Sequence, residues 1–167
     1  MSHPFDVLSQ LDRLASSAFD TARAPRLMPV DLFRDGDQYV LSADLPGIDP
    51  QAVLAEVDAL AERLRRRIPA DAMPVQKLRL LNRYFFQELG FAGNVNDYYD
   101  ARNSYLPDVL RTRRGIPITL ALLYIELATQ VGLEAAGISF PGHFLVKLHM
   151  PKGEVVIDPF SGQSLSR

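Results

Sequence analysis

Gly115-Ile-Pro-Ile-Thr-Leu-Ala-Leu-Leu-Tyr-Ile-Glu-Leu-Ala-Thr-Gln-Val-Gly132 is a nearly unbroken apolar run with a start and a stop written into it. Pro117 pre-sets the φ of a first helical turn, and Gly132 can take the left-handed conformation that ends a helix. Ile118, Leu120, Ala121, Leu122, Leu123, Tyr124, Ile125, Leu127, Ala128 and Val131 cover most of the circumference, which predicts a central helix enclosed by other elements. It is no membrane span, because Glu126, Thr129 and Gln130 interrupt a run already shorter than about 18 residues.

Downstream, residues 135–140, 144–150 and 155–160 read as strands, and Met150-Pro-Lys-Gly153 fits a β-turn with Pro second and Gly fourth. If Met150 faces Gly153, then Leu145 faces Asp158, and His143 lies diagonally from Asp158 on the same sheet face. An imidazole beside a carboxylate predicts a hydrogen-bonded pair in which Asp158 orients one ring nitrogen of His143 and leaves the other free.

Upstream, Asp49-Pro50 is a helix start, with an N-cap followed by proline at the first helical position. Val53, Val57, Leu60 and Leu64 make one stripe, and Arg63, Arg65, Arg66 and Arg67 gather where cations suit a helix C-terminus. A second amphipathic helix spans about 75–89, with Leu78, Leu81, Phe85 and Leu89 on one face and Gly90 as its stop. The segment 90–106 is rich in turn formers and tyrosines, and a polar loop of that length is a frequent place for function. Its binding candidates are Asn94, Asp97, Tyr98, Tyr99, Arg102, Asn103, Ser104 and Tyr105. A short helix over 106–112 follows.

Before Asp49, residues 1 to about 24 carry a weak amphipathic pattern, and 28–47 give two strand-like runs around Arg34-Asp-Gly-Asp37, a hairpin signal. The fold class expected is α+β: a helical N-terminal half around a central buried helix, a small C-terminal antiparallel sheet, and an N-terminal β-hairpin.

The 167 residues suit one ordinary domain, with 47% hydrophobic and 23% charged residues. A net charge of −2 gives no global attraction to nucleic acid or anionic membrane, so neither is expected as a partner. The chain holds no cysteine, which removes disulfides, thiolate zinc sites and any cysteine nucleophile. Its three histidines show no metal-ligand spacing, and no cofactor is expected. Met1-Ser-His-Pro-Phe-Asp lacks the pattern of a secretion signal, so the expected location is cytoplasmic.

Two resemblances follow from these blocks. Residues 28–47 look like the opening of a bacterial small heat-shock protein, whose α-crystallin domain needs further strands that do not follow here. From about residue 51 to 167 the order changes: a Gly-x-x turn into an apolar helix, Pro141-Gly-His-Phe-Leu-Val146 on a strand, and Ile157-Asp-Pro-Phe160 on the next. This order is similar to the transglutaminase-like superfamily. Together with Leu81-Asn-Arg-Tyr-Phe-Phe-Gln-Glu-Leu-Gly-Phe-Ala-Gly-Asn94, Asp97-Tyr-Tyr-Asp100, Arg102-Asn-Ser-Tyr-Leu106 and Arg114-Gly-Ile-Pro-Ile-Thr-Leu-Ala121, it resembles the bacterial SirB family within that superfamily. The resemblance implies a catalytic layout with His143 in the histidine place, Asp158 in the aspartate place and the nucleophile place at or next to Pro117, which has no nucleophilic atom. It also implies a further helical region after the last motif. The chain therefore reads as a chimera, with an incomplete heat-shock-like arm over 1–48 and a SirB-like domain over 49–167 that is truncated at its C-terminus.

Three functions are consistent with these residues. The first is a non-catalytic, transglutaminase-like binding or regulatory module for a protein or peptide partner. The second is a hydrolase or acyl-transfer enzyme using His143 and Asp158 with water or a hydroxyl such as that of Thr119 or Ser104. The third is chaperone-like self-association through an unpaired edge of the 28–47 hairpin.

Overall fold

A computed structural model describes residues 30–35, 38–43, 49–140 and 143–165, with the side chains of 49–139 and 143–165 placed. The helix expected over residues 1 to about 24 lies outside the described residues. Strands β1 (Val30–Asp35) and β2 (Gln38–Ala43) form the antiparallel hairpin foreseen at Arg34–Asp37, pairing from Val30↔Ala43 to Asp35↔Gln38.

Helix α1 (Pro50–Arg65) begins where its cap residue dictates. The Asp49 carboxylate accepts the Gln51 N–H at 2.9 Å, satisfying a donor that the first turn leaves free. Its apolar stripe buries Val57, Leu60, Ala61 and Leu64. At its far end Arg65 pairs with Glu62 at 2.6 Å and donates to the Gln130 carbonyl at 3.3 Å, so one cation serves the C-termini of two helices.

Helix α2 (Pro74–Asn82) does not run on to residue 89 as an α-helix. From Arg83 to Glu88 it widens into π-helical turns, and it stops at Gly90 with φ +73°. This shifts the aromatic run inward: Tyr84 and Phe85 are both buried, and the Tyr84 hydroxyl donates to the Leu60 carbonyl at 3.1 Å. The apolar pattern is almost the same at either period, which is why residue spacing alone reads one continuous helix.

Helix α3 (Leu106–Thr112) leads through Arg113, at φ +60°, into the central helix α4 (Pro117–Gln130). Gly132, at φ +77°, closes α4 as expected. Its buried residues include Leu120, Ala121, Leu123, Tyr124, Leu127 and Ala128. The enclosure is incomplete, however: Leu122 is 38% exposed, and Glu126 and Thr129 continue the same open strip at helical spacing. Tyr124 anchors the opposite side, with its hydroxyl on Asn82 Oδ1 at 2.5 Å and its ring edge-on to Phe85 at 5.2 Å.

A four-stranded antiparallel sheet of β5 (Ala135–Phe140), β6 (His143–Met150), β7 (Gly153–Asp158) and β8 (Gln163–Leu165) covers α4 in that spatial order. Val146, Leu148 and Ile157 supply its buried face. Gly137 is required there, because a Cβ would lie 2.6 Å from the Phe144 ring that packs beneath it. Strand β8 was not foreseen; its three exposed residues carry no alternation to read. The architecture is the α+β arrangement expected, and among the described residues no helix is long and apolar enough to cross a membrane.

Candidate functional site

The start of α4 is where the motif residues converge. Two short strands, β3 (Ala92–Gly93) and β4 (Arg114–Gly115), pair in parallel and bring the loop after α2 against the turn into α4. Gly93 is pressed on the other side by Phe160: its N–H donates to the Phe160 carbonyl at 3.0 Å, and a Cβ on it would fall 2.4 Å from that ring. Only glycine fits between these two segments.

Asn103 ties down the loop between them. It is 3% exposed; its amide donates to the carbonyls of Asp97 at 2.7 Å and Tyr98 at 3.1 Å, and its oxygen accepts from Asn94 Nδ2 at 3.0 Å. Asn94 in turn accepts the Asp97 N–H at 3.2 Å. The Thr119 hydroxyl donates to the Asn103 carbonyl at 2.9 Å and accepts the Ile116 N–H at 3.2 Å, joining the loop to the first turn of α4. Asp100 caps the 3-10 turn Ala101–Ser104 by accepting the Arg102 N–H at 2.9 Å, and it pairs with the Arg102 guanidinium at 2.5 Å. Those hydrogen bonds from Arg102 hold the Asp100 carboxyl below the usual carboxylate range.

The eight loop candidates therefore divide. Asn94 and Asn103 shape the loop, and Arg102 is engaged by Asp100. Tyr105 precedes α3 and its carbonyl accepts the Val109 N–H at 2.9 Å, while Ser104 is half-buried beside it. Asp97, Tyr98 and Tyr99 face outward. Tyr99 is 83% exposed and Val95 74%; Tyr98 stands edge-on to both Tyr99, at 5.4 Å, and Phe160, at 5.9 Å. The result is an exposed aromatic strip on a loop whose backbone is pinned from beneath.

The β6–β7 register is as the turn predicts, with Met150↔Gly153 and Val146↔Ile157. The hydrogen bond expected from it is not formed. Asp158, 8% exposed, accepts the N–H groups of Phe160 at 2.9 Å and Ser161 at 3.4 Å on one oxygen, and the Ser161 hydroxyl at 2.8 Å on the other. Its carboxylate builds the turn into β8, because donors two and three residues ahead are closer than any across the sheet. His143 is exposed, pairs with Phe140 of β5 beyond the last β6–β7 pair, and makes no hydrogen bond or ion pair with Asp158 among the described residues. Pro117, at or next to which the resemblance puts the nucleophile place, is buried as the first residue of α4, and the Thr119 hydroxyl is already committed.

Sequence reasoning did not assign Gly93, Asp100, Phe160 or Ser161 to the site, and it considered Thr119 only as a reacting hydroxyl, not as the brace it forms. The Asp100-Ala-Arg102 and Asp158-Pro-Phe-Ser161 spacings carry an Asx-turn signal that could have identified two of them. Gly93 matters through a contact distant in sequence, and so does the bond from Thr119 to the Asn103 carbonyl.

The transglutaminase-like superfamily profile matches residues 51–167. A UPF0162 protein of Xylella fastidiosa is 41% identical over 136 residues, covering 81% of this chain and 46% of that protein. A UPF0162 protein of Vibrio cholerae is 40% identical over 87 residues, 51% of this chain and 32% of its own length. The human F-box only protein 21 is 43% identical over 72 residues, 43% of this chain and 12% of its own. The chain thus spans less than half the length of each of these relatives. The Xylella match is longer than the 51–167 segment, so that likeness continues into residues before 51. No solved structure matches. With its profile match over most of the chain and the motif blocks assembled around one buried helix, the chain belongs to the transglutaminase-like superfamily.

Proposed function

We propose that this chain is a non-catalytic, SirB-like member of its superfamily, a pseudoenzyme that recognises a protein or peptide through the Val95–Tyr99 loop. The observation that carries this reading is Pro117: at the start of α4, at or next to the place where the resemblance puts a nucleophile, stands a buried ring with no reactive atom, in a chain without cysteine. The Asp158 carboxylate supports it by serving its own turn rather than His143.

The loop supports the binding half of the reading. Exposed tyrosines on a backbone already fixed by Asn103 and Asn94 lose little conformational entropy on binding, which favours recognition. Peptides selected from a random library against the full chain should yield a consensus whose affinity falls about tenfold or more in Tyr99→Ala and is unchanged in His143→Ala. Ester or amide hydrolysis, or amine incorporation into a glutamine-bearing protein, that His143→Ala abolishes would overturn the proposal.

A further inference from the structure

A second feature lies apart from the loop, where α1, the π-turn and the end of α3 meet. Arg113 leaves α3 at φ +60°, a conformation uncommon for a residue with a Cβ, and its guanidinium lies 4.7 Å from the centre of the Phe91 ring. Its Nη1 is buried without a hydrogen-bond partner among the described residues. Arg67 lies 5.1 Å over the Tyr84 ring. Arg63 precedes Arg67 by four residues, about one turn at the end of α1, whose Leu60 carbonyl accepts the Tyr84 hydroxyl. One acid offsets them: Glu88 is bonded to Arg67 and lies 3.7 Å from Arg83, while Arg63 and Arg113 have no ion pair among the described residues. Glu88 is thus the one carboxylate ion-paired within this group among the described residues, to Arg67 and Arg83, and an orphaned buried donor on Arg113 is costly until an acceptor arrives.

We propose that Arg113 and Arg63, flanked by Arg67 and Arg83, form an oxyanion-binding shelf that takes the carboxylates of an acidic peptide segment. The Arg113 and Arg67 guanidinium groups are positioned over aromatic rings, and a guanidinium presents a fork of donors that suits bidentate carboxylate pairing. The rings beneath them favour a peptide over single-stranded nucleic acid. Phe91 and Tyr84 are buried under the guanidinium groups and offer no free face on which a base could stack.

The probe is a fluorescently labelled hexaglutamate, titrated with the full chain near physiological salt and followed by anisotropy. Saturable binding is expected, weakened about tenfold or more in Arg113→Gln and in Arg63→Gln. Lys152→Gln removes the same charge from the exposed β6–β7 turn and should change nothing. Arg63 is exposed on α1, so Arg63→Gln decides the matter even if Arg113→Gln lowers stability. No saturation by about 1 mM peptide, or equal weakening by Lys152→Gln, overturns the shelf. A short oligothymidylate that binds more tightly than hexaglutamate and responds to the same substitutions overturns the peptide in favour of nucleic acid.

Discussion

The Thr119 hydroxyl satisfies two backbone groups near the start of α4, the Asn103 carbonyl and the Ile116 N–H. Valine has nearly the same shape and neither function. Thr119→Val should therefore leave both groups unpaired in a buried setting, destabilising the fold by about 1–3 kcal/mol. In urea the midpoint should fall with the slope unchanged; an unshifted midpoint would mean that water replaces the hydroxyl. Asp158 illustrates the same point in reverse. Residue type and strand register identify it from sequence, and it does sit where that register puts it. Its oxygens nevertheless go to Phe160 and Ser161, because a carboxylate takes the donors its own backbone presents before it reaches across a sheet.

At the scale of elements, α4 joins the helical half to the sheet, and Tyr124 is its deepest polar attachment. Burial pushes the Tyr124 hydroxyl well above its ordinary value of 10.0. Tyr84 shifts in the same direction, again chiefly through burial. The sign of the pH dependence follows. Above about pH 10 the unfolded chain loses these protons while the folded chain keeps them, so the unfolded state is favoured as pH rises. Below that value the two states bind the same phenolic protons, and this contribution to stability is fully present. The urea midpoint should drop between about pH 9 and pH 11, and Tyr124→Phe should flatten part of that drop while lowering stability by about 1 kcal/mol at neutral pH for the stranded Asn82 oxygen. A slope that Tyr124→Phe leaves untouched would place the titration elsewhere.

At the scale of the whole molecule, the apolar core among the residues whose side chains are described runs from Val53 to Phe160, and β1 pairs with β2. Removing residues 1–48 should leave the cooperative unfolding of the remainder within about 0.5 kcal/mol of the full chain, measured by calorimetry or urea; a large loss would make the hairpin integral to the core. The helices α1, α3 and α4, the hairpin, the β5–β7 strands and the β6–β7 register were all legible in the sequence. Each is set by local rules: an Asp-Pro cap, a proline start, a glycine stop, a four-residue turn. The π-helical end of α2, the parallel β3–β4 contact and strand β8 were not, since their signals are short or shared with another period. At the site, sequence reading picked out Pro117 as a position without a nucleophilic atom and the 94–105 loop as a polar segment, and the structure places both beside the start of α4. Sequence reading could not separate Asn103, buried as the loop's internal brace, from Tyr99, left in solvent, because that difference is burial. What the sequence determined by itself is everything encoded over a few residues, together with the absence of cysteine chemistry. Only the tertiary structure decided how Gly93 and Phe160 interlock and where four arginines meet, because those outcomes depend on segments dozens of residues apart arriving at the same place.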